Sequence, residues 1–90
     1  MGEKHCNETI SGYREFDGEG GHEFTNCTFL EGTQIVGFLY DTVFFNCTML
    51  SVNFSQCYGS PTFRNCTVVN PVKPTNGHDW HAKFENTPAF

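Results

Sequence analysis

At 90 residues and a net charge of −5, the chain makes one small domain, marginal in size for an ordinary globular core. Ten Phe within a 16% aromatic content supply bulk for a narrow core, while only five Lys and Arg speak against nucleic acid as a direct ligand, because phosphate contacts need cations. No run of ~18 apolar residues is present to span a bilayer, and the N-terminus lacks the basic-then-apolar layout of a secretory signal; Met1-Gly2 reads as an addition, so the chain is expected to be an excised domain.

Segment 1–21 is expected to be an acidic, glycine-rich cap. It holds Gly12, Gly18, Gly20 and Gly21 among Glu15, Asp17 and Glu19, with Glu23 just beyond. A phosphate-cradling loop needs a Lys and a helix start after its glycines, and neither follows. His5 and Cys6 are neighbours, so on an extended chain they point to opposite faces and make no base–nucleophile pair.

Segment 22–70 carries the main signal. Phe-x-Asn-Cys-Thr occurs at 24–28, 44–48 and 63–67, with spacings of 20 and 19 residues. A finer beat of five runs through Phe24, Phe29, Gln34, Leu39, Phe44, Met49, Phe54 and Gly59, slips by one residue, and resumes at Phe63 and Val68. Small or apolar residues stand two positions earlier: Cys27, Gly32, Gly37, Thr42, Cys47, Val52, Cys57 and Cys66. This period fits neither an amphipathic helix nor an alternating strand. It fits a chain that turns a corner every five residues, pointing one large and one small side chain inward from each of four sides. Coils of about 20 residues then stack as parallel strands ~4.8 Å apart, each burying the faces its neighbour cannot bury alone. The expected core ladder is Phe24, Phe29, Phe44, Phe54 and Phe63 with Cys27, Cys47 and Cys66.

Segment 71–83 breaks the beat and is expected to be a loop or cap. Pro74-Thr75-Asn76-Gly77 favours turns, and Trp80 is expected to fold back over the open end of the stack. His78, Asp79 and His81, like His22 beside Glu23, lack the third and fourth convergent ligands of a zinc site, and no Cys-x2-4-Cys pair is present, so no metal or cofactor is expected. Segment 84–90 is expected to be a last partial coil, with Phe84 returning 21 residues after Phe63.

The small-x-Phe/Leu repeats from Phe24 to about Val68, echoed at Ala82–Phe84, resemble those of pentapeptide-repeat proteins. The resemblance implies an all-β fold: a right-handed quadrilateral parallel β-helix of about three to four coils. The Phe-x-Asn-Cys-Thr form, with Cys6-Asn7-Glu8-Thr9-Ile10 ahead of it, resembles the luminal loop of the synaptic vesicle glycoprotein 2 transporters. That resemblance implies a domain in the extracellular space or a vesicle lumen, joined to a membrane only through flanking segments. It also implies a receptor for botulinum neurotoxin type A, bound through the β-helix edge and a nearby glycan, for which Asn65 is the matching residue.

Five asparagines stand in the Asn-x-Ser/Thr context of N-glycosylation: Asn7, Asn26, Asn46, Asn53 and Asn65. Chance would supply about one, although three of the five are copies of one repeat unit. Asn26, Asn46 and Asn65 are expected to form an outward column. Glycans ~4.8 Å apart on adjacent coils would collide there, whereas Asn7 and Asn53 are expected to lie off the column. Cys27, Cys47 and Cys66 are expected as buried thiols in the small-residue column, since buried Cys packs as a small hydrophobe. If any disulfide forms, Cys6 with Cys57 is the first pair to suspect, and the odd count of five leaves a thiol unpaired within one chain.

No catalytic constellation assembles from these residues, so a non-catalytic binding domain is expected, taking a protein partner by strand addition at an open coil edge. The alternative is a cytosolic acidic pentapeptide-repeat protein that mimics DNA and inhibits gyrase, which the negative charge favours and the sequons and cysteines disfavour.

Overall fold

The computed structural model describes residues 2–16, 20–74 and 79–90. Among these residues, twelve short strands follow one another: β1 (Lys4–Cys6), β2 (Thr9–Ile10), β3 (Tyr13–Phe16), β4 (Glu23–Thr25), β5 (Thr28–Phe29) and β6 (Gln34–Phe38). They continue as β7 (Val43–Phe45), β8 (Thr48–Leu50), β9 (Asn53–Tyr58), β10 (Thr62–Arg64), β11 (Thr67–Val69) and β12 (Lys83–Glu85). Each strand up to β11 pairs in parallel with the strand three positions away, and β12 pairs in parallel with β10. This gives three sheets, in the orders β1-β4-β7-β10-β12, β2-β5-β8-β11 and β3-β6-β9. The protein is an all-β parallel solenoid of about four turns, consistent with a pentapeptide-repeat β-helix. Among the described residues, a fourth side has no strand of its own. It is held by single backbone bonds such as Gly21 N–H to the Tyr40 carbonyl at 2.6 Å and Leu39 N–H to the Tyr58 carbonyl at 2.7 Å.

The repeat becomes a fold through its corners. Asn7, Asn26, Asn46, Asn65 and Asn86 all sit in the left-handed region, with φ between 51° and 58°. Asparagine tolerates this conformation better than other L-residues, because its short polar side chain bonds locally. One residue at such a φ redirects the chain from the first sheet into the second. Each of Asn7, Asn26, Asn46 and Asn65 then donates its own N–H to a carbonyl of the next coil, for example Asn46 to Arg64 at 2.9 Å.

Inside, the column expected from the sequence is a stack of parallel rings. Phe24, Phe44 and Phe63 lie 4.9 Å apart centroid to centroid with planes 6° from parallel. His5 continues the stack below Phe24 with the same separation and tilt, and Phe84 continues it above Phe63 at 5.4 Å. Phe29 and Phe54 meet the column edge-on, Phe29 at 5.5 Å from Phe24 and Phe54 at 5.7 Å from Phe63. Phe24, Phe29, Phe44, Phe54 and Phe63 are fully buried, and Cys27, Cys47 and Cys66 lie beside them in the core.

Three details differ from the pattern read along the chain. Segment 4–16 supplies β1, β2 and β3, each paired in register with the following coil, so the solenoid begins well before the first Phe-x-Asn-Cys-Thr unit. Gln34 and Gly32 do not point inward; Ile35 and Thr33 do, both fully buried. The reason is a longer corner between β5 and β6, turned at Gly32 with φ 87°, which moves the inward pair on by one residue. A bulge restores the frame, since the pairing passes from Gln34↔Asn53 to Val36↔Gln56. Gly59, where a large apolar residue is due, has φ 118°, and a Cβ there would stand 2.7 Å from the Tyr40 nitrogen.

The C-terminal end of the core is covered by aromatic rings. Trp80 packs on Phe54 at 5.9 Å, and Phe90 contacts Phe54, Phe63 and Phe84 at 5.0 to 5.9 Å.

Candidate interaction edge and sequon column

The column of outward asparagines is longer than the copied motif suggests. Asn26, Asn46 and Asn65 occupy one exposed corner on successive coils. Asn7 stands on the same corner rather than off the column: its N–H donates to the Thr25 carbonyl at 2.9 Å, and its φ of 58° matches the others. Asn86, which lacks the sequon because Pro88 follows Thr87, forms the next rung. The signal for Asn7 lay in the 19-residue step from His5-Cys6-Asn7-Glu8-Thr9-Ile10 to Phe24-Thr25-Asn26-Cys27-Thr28-Phe29, hidden because His replaces Phe.

Side-chain amides bond along this corner. Asn46 Nδ2 donates to Asn26 Oδ1 at 2.6 Å and Asn86 Nδ2 to Asn65 Oδ1 at 2.8 Å. The threonines of the four column sequons lie in register across the second sheet, Thr9↔Thr28, Thr28↔Thr48 and Thr48↔Thr67. Asn53 is apart from them, half-buried in β9, with its Oδ1 accepting the N–H of Ser55 in its own sequon at 2.8 Å.

Beside the C-terminal part of this corner is a strand edge. β11 ends the second sheet, with β8 on one side and no strand on the other among the described residues. Thr67 N–H donates to the Cys47 carbonyl at 2.9 Å, and the Val69 carbonyl accepts Ser51 N–H at 2.7 Å. Thr67 and Val69 thus turn their backbone groups toward the stack. By the alternation of a parallel ladder, the N–H and carbonyl of Val68 point outward along the axis. The Val68 side chain packs against the core, while Val69 and Val72 are 42% and 45% exposed. The opposite end is less inviting, because β2 is only two residues long and β3 presents Arg14 and Glu15. Short and charged edges discourage pairing.

The cysteines and histidines sort differently. All five thiols are free, with Cys6 exposed and the other four buried, so Cys6 and Cys57 form no disulfide. Cys6 lies in the first strand of one sheet and Cys57 in the last strand of another. The buried sulfurs donate to carbonyls of the previous coil, as Cys57 does to Ile35 at 3.0 Å and Cys66 to Phe44 at 3.1 Å. Burial pushes the Cys57 thiol up to about 12. The contact with Cys66 and burial together raise Cys47 well above the ordinary thiol range.

His5 is held between two carboxylates, Glu3 at 2.9 Å and Glu8 at 3.1 Å. His22 is buried and accepts the Glu3 N–H at 3.0 Å. Asp79 accepts the Tyr40 hydroxyl, which raises the Tyr40 pKa. His78 lies outside the described residues. Among the described residues, no group of three or more His, Cys, Asp or Glu side chains is placed to hold a metal ion. Nor is any helix there long and apolar enough to cross a membrane. The chain matches no protein-family model and no curated protein sequence.

Proposed function

We propose that this solenoid is a non-catalytic binding domain of a luminal or extracellular space, of the kind carried by synaptic-vesicle-glycoprotein-like transporters, and that it takes a protein partner by strand addition. The observation that carries the reading is the free edge of β11, lying beside the corner that bears the Asn65 sequon. A partner strand laid along β11 would bond to the Val68 backbone, so its affinity would come largely from main-chain bonds and depend weakly on its side chains. A glycan on Asn65 would widen the contact. The sequons support a compartment where N-glycans are added. By resemblance of the repeat, the partner to try first is botulinum neurotoxin type A.

The test uses the protein secreted from cells that add N-glycans, immobilised, with the receptor-binding domain of that toxin in solution. Binding is expected for the unaltered protein, with a weakened signal for Asn65→Gln. Val68→Pro removes the outward N–H, so a variant that keeps its thermal transition is expected to lose binding. No glycan on the secreted protein would remove the luminal reading, and unchanged binding by folded Val68→Pro would remove the edge.

A further inference from the structure

The outer face of the first sheet carries a groove of about 320 Å³, lined by Glu23, Thr25, Asp41, Val43, Phe45 and Arg64 together with backbone at Gly21 and Phe24. Val43 and Phe45 alternate outward from β7 and form an apolar floor, with Phe45 38% exposed. Thr25 and Arg64 stand in register on either side of Phe45. The charges around this floor are not balanced. Arg64 is already matched, its Nε lying 2.8 Å from Glu85 Oε1. Glu23 and Asp41 have no side-chain hydrogen bond or ion pair among the described residues. Lys4 lies opposite Glu23 across the β1–β4 pair, yet among the described residues it too forms no ion pair. Two uncompensated carboxylates therefore border an exposed apolar floor on a protein of net charge −5.

We propose that this groove receives a lysine or arginine side chain from a basic segment of a partner protein. The aliphatic stem lies along Val43 and Phe45, and the cationic head reaches Glu23 and Asp41. Long basic side chains bury their stems on apolar surface while the head stays near water, which is the division this groove offers. A neutral apolar ligand would leave both carboxylates facing it, and an anion would be repelled. The face is distinct from the β11 edge, so the two surfaces can be separated by variants.

The probe is a fluorescein-labelled Gly-Ser-Lys-Ser-Arg-Ser-Gly peptide, titrated by fluorescence polarisation, with a second peptide in which acetyl-lysine and citrulline remove both charges. The unaltered protein is expected to bind the charged peptide and not the neutral one, more weakly as salt is raised. The exposed double variant Glu23→Gln, Asp41→Asn is expected to bind about fivefold more weakly, the scale of two surface charge contacts. Phe45→Ser is expected to weaken binding as well. In ¹⁵N-labelled protein, peptide-induced amide shifts should centre on Thr25, Val43 and Phe45. Equal binding of both peptides, an unaffected double variant, or shifts centred on β11 would each overturn the proposal.

Discussion

The asparagine in each Phe-x-Asn-Cys-Thr unit has a backbone role that is independent of any sugar. Asn46 has φ 57° and links Asn26 below to the solenoid corner through its amide. Alanine at such a φ costs about 1 kcal/mol or more, whereas glycine adopts it freely. Asn46→Ala is therefore expected to lower unfolding free energy in urea by about 1 kcal/mol, and Asn46→Gly by clearly less. Equal losses would mean that the side-chain amide, not the backbone, is what the corner needs. The cysteines give a second residue-level expectation. Cys57 is pushed from 9.0 up to about 12 by burial. Between those values the unfolded chain releases the proton and the folded chain keeps it. Stability is thus fully present below about pH 9 and falls as pH rises toward 12. Urea midpoints measured upward from pH 9 should fall, and Cys57→Ala should flatten that fall; an unchanged slope would contradict it. Residue type alone also misplaced one inward pair. Gln34 and Gly32 kept the five-residue beat on paper, but a lengthened corner turned Thr33 and Ile35 inward instead.

At the scale of strands, the aromatic column joins neighbouring coils. Phe44 is stacked on both sides, by Phe24 and Phe63, and meets Phe29 and Phe54 edge-on. Truncating a buried Phe costs ~3–5 kcal/mol, transfer and cavity terms together. Phe44→Ala is expected to fall in that range. Phe84→Ala should cost less, since Phe84 is only half-buried in the last strand. Equal losses in chemical denaturation would show that the column does not couple the coils. This ladder was readable because Phe recurred at a fixed step. The first rung was not, because its ring is His5, whose two nitrogens meet Glu3 and Glu8 at the rim. A polar ring that stacks through its face and bonds carboxylates at its edges suits the end of a column. No periodicity in apolar residues reports it.

For the whole molecule, the period of about 20 residues led to the parallel solenoid, since a corner every five residues closes a four-sided coil whose faces only stacked neighbours can bury. It did not reveal that, among the described residues, three sides build sheets and the fourth does not. That depends on β6 and β9 being five and six residues long, while the side through Leu39, Gly59 and Trp80 is shortened by glycine and held by single bonds. The candidate edge was legible only as an expectation that a short stack has ends. Among the described residues, the strands left at the C-terminal end of the stack are β11 in one sheet and β12 in another. Phe90 and Trp80 close the core, and no described strand pairs the far side of β11.

The first and last strands, β1 and β12, are the two borders of one sheet. Four rungs of ~4.8 Å separate them, roughly 19 Å. A pull between these two strands would therefore be borne by the backbone hydrogen bonds of this one sheet, which runs through a body of 29 × 28 × 25 Å.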